Sequence, residues 1–263
     1  MLRYAASPRP RDTLVCVSRR AWLGAGIGVG VAVAGVATWY LVFRDVAEPA
    51  TVGEAVTSFR EHPGNGSPVP PGVYVYDTRG LERTDALTGV THRYPSRSTV
   101  TVTGDPCGFQ LRWSVLRGRS TVWSFCAGGG SWKLLSQDER HTFFGRTERT
   151  DYSCPDFAFW SATASSTYTC TTGNATERGV RRISPGPRVR VGRRFVRTVL
   201  VRRTSTFTGG IRGSSRYDFV LDRRSGIPVQ VVMASTTTND SPVGAVHYEE
   251  HVALRLTSLT PRR

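Results

Sequence analysis

The sequence predicts an all-β extracytoplasmic domain, a curved antiparallel meander of half-barrel or barrel-like form, preceded by one N-terminal transmembrane helix. Three observations carry this. From residue 72 onward apolar and polar residues alternate with period two. Residues 21–43 are apolar throughout. Four of the five cysteines lie beyond that run.

The N-terminal segment sets the location. Residues 1–20 hold Arg3, Arg9, Arg11, Arg19 and Arg20 against Asp12 alone, whereas Asp45, Glu48 and Glu54 follow the apolar run. Basic residues collect on the cytoplasmic side, so 1–20 reads as a cytoplasmic tail and the C-terminal domain lies outside. As a helix, residues 21–43 span about 34 Å, enough for a hydrocarbon core of about 30 Å. Trp39 and Tyr40 suit an interfacial belt. The rival reading is export: Ser18-Arg19-Arg20-Ala21-Trp22-Leu23 resembles a twin-arginine signal, with small residues at 32–34 and 47–50 as cleavage points. The apolar stretch runs on to Phe43, longer than a typical secretory core, which favours a retained anchor. Either way residues 44–263 lie outside the cytoplasmic membrane. Gly24, Gly26, Gly28 and Gly30 form overlapping small-xxx-small pairs that would let two such helices dimerise.

Residues 44–71 read as a connector. Thr51-Val52-Gly53-Glu54 is a capping box opening a short helix, and the Pro/Gly-rich stretch 63–72 reads as a spacer. Residues 72–263 form the β domain. Phe109, Leu111, Trp113 and Val115 share one face, and a hairpin over 108–117 and 119–126 turns at Arg117-Gly118-Arg119. Gly128-Gly129-Gly130 marks another turn. Residues 152–182, rich in Ser and Thr, read as a long loop between two groups of strands.

Cys16 lies on the reducing side of the anchor and is expected to stay a thiol. Cys107, Cys126, Cys154 and Cys170 lie in an oxidising compartment, where they allow three pairings. Proximity favours Cys107–Cys126 and Cys154–Cys170. Their spacing is not that of a zinc site.

Charge is the sharpest chemical feature. The formal net charge is +15, and of 35 basic residues only Lys133 is lysine. Twelve arginines and no acid fall within residues 178–217. Of these, Arg188, Arg190, Arg193, Arg194, Arg197, Arg202 and Arg203 are the candidates for an anionic ligand, because the guanidinium fork matches phosphate and carboxylate. The basic stretch has only Phe195 and Phe207 interleaved and lies outside the cytoplasm, which argues against nucleic acid.

His247-Tyr-Glu-Glu-His251 has the helix spacing of a metal site, but residues 246–256 alternate as a strand. There the two histidines stand about 13 Å apart, too far for one ion, so no metal is expected. Glu250 falls in phase with Val246, Tyr248, Val252, Leu254 and Leu256. A buried carboxylate needs a partner, and an inward arginine is the expected one; the functional alternative is a polar residue in a ligand cavity. There is no G-x-S-x-G, S-x-x-K or phosphate loop, so no enzyme and no cofactor are expected.

Three segments, 73–108, 141–154 and 241–261, resemble uncharacterised actinobacterial single-pass membrane or exported proteins, which implies a location and no activity. The succession GRRFVRTVLV then YDFVLDRRSGIPVQVV is similar to lipoprotein-carrier (LolA-like) half-barrels, which implies a concave sheet that holds lipid. The chain departs from that pattern in having two expected disulfides and no lipidated cysteine. The function expected is a membrane-anchored binding domain for an amphiphilic or anionic envelope component such as a lipid or polymer. The alternative is a structural module that docks another envelope protein. A carrier needs an enclosed apolar cavity, and a docking module an exposed apolar patch.

Overall fold

The computed structural model describes residues 47–64, 66–86, 89–241 and 244–263. The tail at 1–20, the span at 21–43, its glycines, the twin-arginine motif and Cys16 all lie outside the described residues. Among the described residues no helix is long and apolar enough to cross a membrane.

The elements are α1 (Val52–Glu61) and fifteen strands. The first seven are β1 (Gly72–Thr84), β2 (Val90–Arg93), β3 (Arg97–Asp105), β4 (Gly108–Leu116), β5 (Arg119–Gly128), β6 (Ser131–Phe143) and β7 (Arg146–Trp160). Then come β8 (Ser165–Thr171), β9 (Ala175–Pro185), β10 (Val189–Val191), β11 (Arg194–Val196), β12 (Thr198–Gly209), β13 (Ile211–Asp222), β14 (Pro228–Ser241) and β15 (Gly244–Leu256). Twelve of them, all but β2, β10 and β11, form a closed antiparallel barrel in sequence order. Closure comes from β15 pairing with β1 over Tyr76–Thr84, so the sheet has no open concave face and the half-barrel expectation is corrected. At the closure β1 changes partners. Its first half pairs with β3, and its last four residues pair with β2. Gly80 sits at that crossover, where a Cβ would lie 2.3 Å from the His251 carbonyl oxygen. Only glycine lets β15 pass this close.

Residues 152–182 are strands, not a loop. The pattern hid them for two reasons. Register shifts on the β6–β7 ladder at Trp132/Lys133 and Leu134/Ser136 break the phase. The buried positions on β8 and β9 include Cys170, Glu177 and Arg181, which do not read as apolar. Both expected disulfides are present, with Cα–Cα distances of 4.7 Å for Cys107–Cys126 and 4.3 Å for Cys154–Cys170. The second bridges β7 and β8, which share one register pair, Ser153↔Thr171. It therefore staples the thinnest seam of the barrel. Replacing Cys154 and Cys170 by serine is expected to cost about 3 kcal/mol in urea unfolding, the scale for a loop of this length. Amide exchange should rise first in β7 and β8. Exchange rising uniformly around the barrel would contradict this.

The connector does not stand off the barrel. Pro49 bridges Leu116, the Arg117 amide donates to the Glu48 carbonyl at 2.9 Å, and Ala50 N donates to Val115 O at 3.1 Å. Helix α1 opens on the expected capping box: Glu54 N donates to Thr51 Oγ1 at 3.2 Å, and Thr51 N donates to Glu54 Oε2 at 2.9 Å. The helix buries Phe59, and Val69 further on is fully buried. The chain thus meets the barrel at the β4–β5 turn and reaches β1 at the other end.

The barrel interior has two chemically distinct halves. Toward the start of β1 it is apolar and aromatic. Phe109 stacks on Phe125 at 4.9 Å, and Phe125–Phe159 and Phe159–Phe219 continue the cluster at 5.0 and 5.3 Å. The Tyr76 hydroxyl crosses to donate to Pro228 O at 2.5 Å. The β10–β11 hairpin adds Val189 and Val191 to this core, each burial worth about 1.5–3 kcal/mol. Toward the end of β1 the interior is charged.

Candidate functional site: an arginine hairpin and a buried ionic network

Alternation divides the hairpin into two faces. Val189 pairs with Val196 and Arg190 with Phe195. Val189 and Val191 are buried, so Arg190 and Phe195 face out. Phe195 is the most exposed large apolar side chain described, at 64 %. The Arg188 guanidinium lies over its ring, 5.7 Å from the centroid. Arg190 Nε donates to the Gly192 carbonyl at 3.1 Å, which closes the turn. Arg193 sits in that turn beside Gly192, whose φ is +57°. The hairpin is tied to its neighbours through Arg223 N to Arg197 O at 2.9 Å and Arg255 Nη2 to Arg190 O at 3.4 Å.

Among the described residues no carboxylate lies in ion-pair reach of Arg188, Arg190, Arg193, Arg194 or Arg197, and all five are exposed. The other sequence candidates differ. Arg202 forms a two-point pair with Asp218, both contacts at 2.8 Å. Arg216 takes the same carboxylate, and Arg212 pairs with Asp240. Arg203 is not on the surface at all. It is 1 % exposed inside the barrel, where Nη2 donates to both oxygens of Glu177 at 2.8 and 2.9 Å. The twelve-arginine run therefore divides into the five unpaired hairpin residues, the surface pairs of Arg202, Arg212 and Arg216, the inward Arg181 and Arg203, and the exposed Arg178 and Arg182 on β9. A strand puts alternate residues on opposite sides, so adjacent Arg202 and Arg203 had to part.

Glu250 is buried and meets an inward arginine, Arg119, which reaches in from β5 across the barrel. Its Nε donates to Oε1 at 3.1 Å and its Nη2 to Oε2 at 2.7 Å, a bidentate pair. The Tyr94 hydroxyl donates to the same carboxylate. Arg119 also lies over the Trp113 ring at 5.1 Å and stands 3.7 Å from Glu82. Glu82 collects three donors: His92 Nδ1 at 3.0 Å, His141 Nδ1 at 3.1 Å and the Tyr248 hydroxyl at 3.1 Å. Glu139 joins through His141 Nε2 at 3.7 Å. Gln137 links the two arginine centres: its Nε2 donates to Glu139 and its Oε1 accepts from Arg203 at 2.6 Å. Arg203 also lies 4.7 Å from the centre of the Tyr217 ring.

Burial by itself raises the Glu82 carboxyl, but the His141 and His92 hydrogen bonds and the nearby Arg119 hold it down to about 2. The same balance against burial, through His141 and Arg119, brings Glu139 to about 2. Burial and Arg119 push His141 down, and its bonds to Glu139 and Glu82 more than offset them, so it lies above the usual histidine value. The layer holds Glu82, Glu139, Glu177 and Glu250 against Arg119 and Arg203, a surplus of two negative charges, and His141 lies against two of these carboxylates. Every charge in it is engaged by another, as burial demands.

Comparison with known proteins finds no matching family model, no matching curated protein and no matching solved structure. The site is therefore read from its own chemistry. The histidines of 247–251 do not come together: on β15 His247 contacts Thr238 Oγ1 at 2.9 Å, while His251 contacts Glu249 at 2.6 Å.

Proposed function

We propose that this chain is an anchored or exported extracytoplasmic binding domain that engages a phosphate- or carboxylate-bearing envelope polymer through the outer face of the β10–β11 hairpin. The observation that carries this reading is the cluster of five exposed arginines that, among the described residues, have no carboxylate partners, around an exposed phenylalanine. Four other arginines of the same run, Arg202, Arg203, Arg212 and Arg216, are neutralised by Asp218, Asp240 or Glu177. Arginine suits phosphate and carboxylate because its fork donates two parallel hydrogen bonds.

Two features weigh against the rival readings. The apolar half of the interior is occupied by its own side chains, among them the fully buried Tyr74, Tyr76, Phe109, Phe125 and Phe219, which argues against lipid carriage inside the barrel. The exposed large apolar residues, Leu135 on β6, Phe195 on the hairpin and Val232 on β14, are scattered, which argues against an apolar docking patch.

The test is a titration of the disulfide-bonded chain with poly(glycerol phosphate) and with phosphatidylglycerol vesicles. Saturable binding to the free polymer, weakened by added salt and several-fold by Phe195→Ala, is expected. Binding to vesicles alone would replace the polymer by a bilayer surface, and binding to neither would overturn the reading.

A further inference from the structure

The outer wall of β3–β6 carries a second feature that the hairpin does not use. Between that wall and α1 lies a cavity of about 410 Å³. Its floor is hydroxyl-rich. Thr99, Ser114, Ser120 and Arg140 are successive cross-strand partners on β3, β4, β5 and β6. At the usual strand spacing this row spans about 14 Å. Thr101 pairs with Arg112 one step along. Arg112 and Arg140 are exposed, and among the described residues neither has a carboxylate in ion-pair reach. Among the described residues the one acid that lines the cavity, Glu54 on α1, is occupied by Arg117 at 2.8 Å and by the capping box.

The deciding detail is Thr99. It is 1 % exposed, lines the cavity, and among the described residues its Oγ1 has no hydrogen-bond partner. A buried hydroxyl left unpaired costs about 1–3 kcal/mol, so such a group marks a place where a polar partner belongs. An adjacent concavity of about 250 Å³ shares Leu116, Arg117 and Arg140 with the first, so Arg140 stands between two open spaces.

We propose that this groove binds a small polyhydroxylated anion, a sugar acid or a sugar phosphate. Arg112 and Arg140 would take the anionic group, and Thr99, Ser114 and Ser120 the ligand hydroxyls. Cations without counter-charges select the anion. Neutral donors and acceptors in a row select hydroxyls over a bare ion. The groove lies on the barrel wall and the hairpin at a barrel end, so this site stands whether or not the hairpin reading does.

The experiment is calorimetric titration of the disulfide-bonded chain with glucuronate and with glucose 6-phosphate, using glucose and inorganic phosphate as controls. One of the two sugar anions is expected to bind saturably at millimolar concentration, and which one binds identifies the anionic group. Arg112→Gln and Arg140→Gln should each weaken binding about ten-fold or more. Thr99→Val, which keeps the shape, should weaken it several-fold, with unfolding midpoints checked in parallel to show intact variants. Binding of glucose as strong as that of the sugar anions would overturn the proposal. So would binding that Arg112→Gln and Arg140→Gln leave unchanged, or no saturable binding of either sugar anion.

Discussion

Replacing Arg119 by methionine is expected to destabilise the domain by about 3–5 kcal/mol, because it strands buried Glu250 and Glu82 without their shared cation. The residue is 1 % exposed, so water cannot take over the lost hydrogen bonds. The size of the effect belongs to the uncompensated charges more than to the pair itself. The double change Arg119→Met with Glu250→Met should therefore recover a large part of the loss. Urea unfolding of both single variants and the double variant measures this directly. A loss below about 1 kcal/mol for Arg119→Met would mean that the carboxylates find water, and that the charged half of the barrel is wet.

The second large effect is on pH. Glu82 and Glu139 sit near 2 in the folded barrel against 4.5 unperturbed. Folded values depressed in this way contribute stability that is complete above about 4.5 and lost as pH falls toward 2. The linkage is on the order of 3 kcal/mol for each group. Both lean on His141, so the two losses are coupled and do not add. His141 is shifted the other way, above its ordinary 6.5. Its contribution is complete below 6.5 and is lost as pH rises through the raised value. The groups around it are Glu82 from β1, Glu139 on its own strand, Arg119 from β5 and the Tyr248 ring from β15, 5.0 Å away edge-on. Stability is thus expected to peak between about pH 5 and 6 and to fall on both sides. The urea midpoint measured from pH 3 to 9 checks this, and His141→Gln should flatten the alkaline limb. A midpoint that holds or rises from pH 6 to 9 would contradict the histidine assignment.

Much of this was legible in the residues, and the failures have physical causes. Alternation along β4 and β15 marks the faces of both strands and turns Glu250 inward, where the structure gives it Arg119. The same logic reaches further. Glu82 is in phase with Tyr74 and Tyr76, and Arg119 with Trp123 and Phe125, so the network is written in the phase of β1 and β5. That phase is masked because charged residues at strand ends look like turn residues. Strands β7–β9 are hidden for a related reason: bulges shift the phase, and cysteine, glutamate and arginine fill inward positions. Closure could not be read locally, since β1 and β15 meet across most of the chain. The groove under α1 depends on where a connector docks, which no periodicity encodes.

On the proposed function, the hairpin arginines act as a site and not merely as part of a basic protein. Two charge-matched variants separate these. One replaces Arg188, Arg190, Arg193, Arg194 and Arg197 by glutamine. The other replaces the exposed Arg79, Arg93, Arg97, Arg146 and Arg178. Both remove five positive charges, and the affinity of each for poly(glycerol phosphate) is measured at one salt concentration. The first is expected to lose binding by more than ten-fold and the second by no more than a few-fold. Equal losses in the two would reduce the interaction to net charge and contradict the assignment of the hairpin.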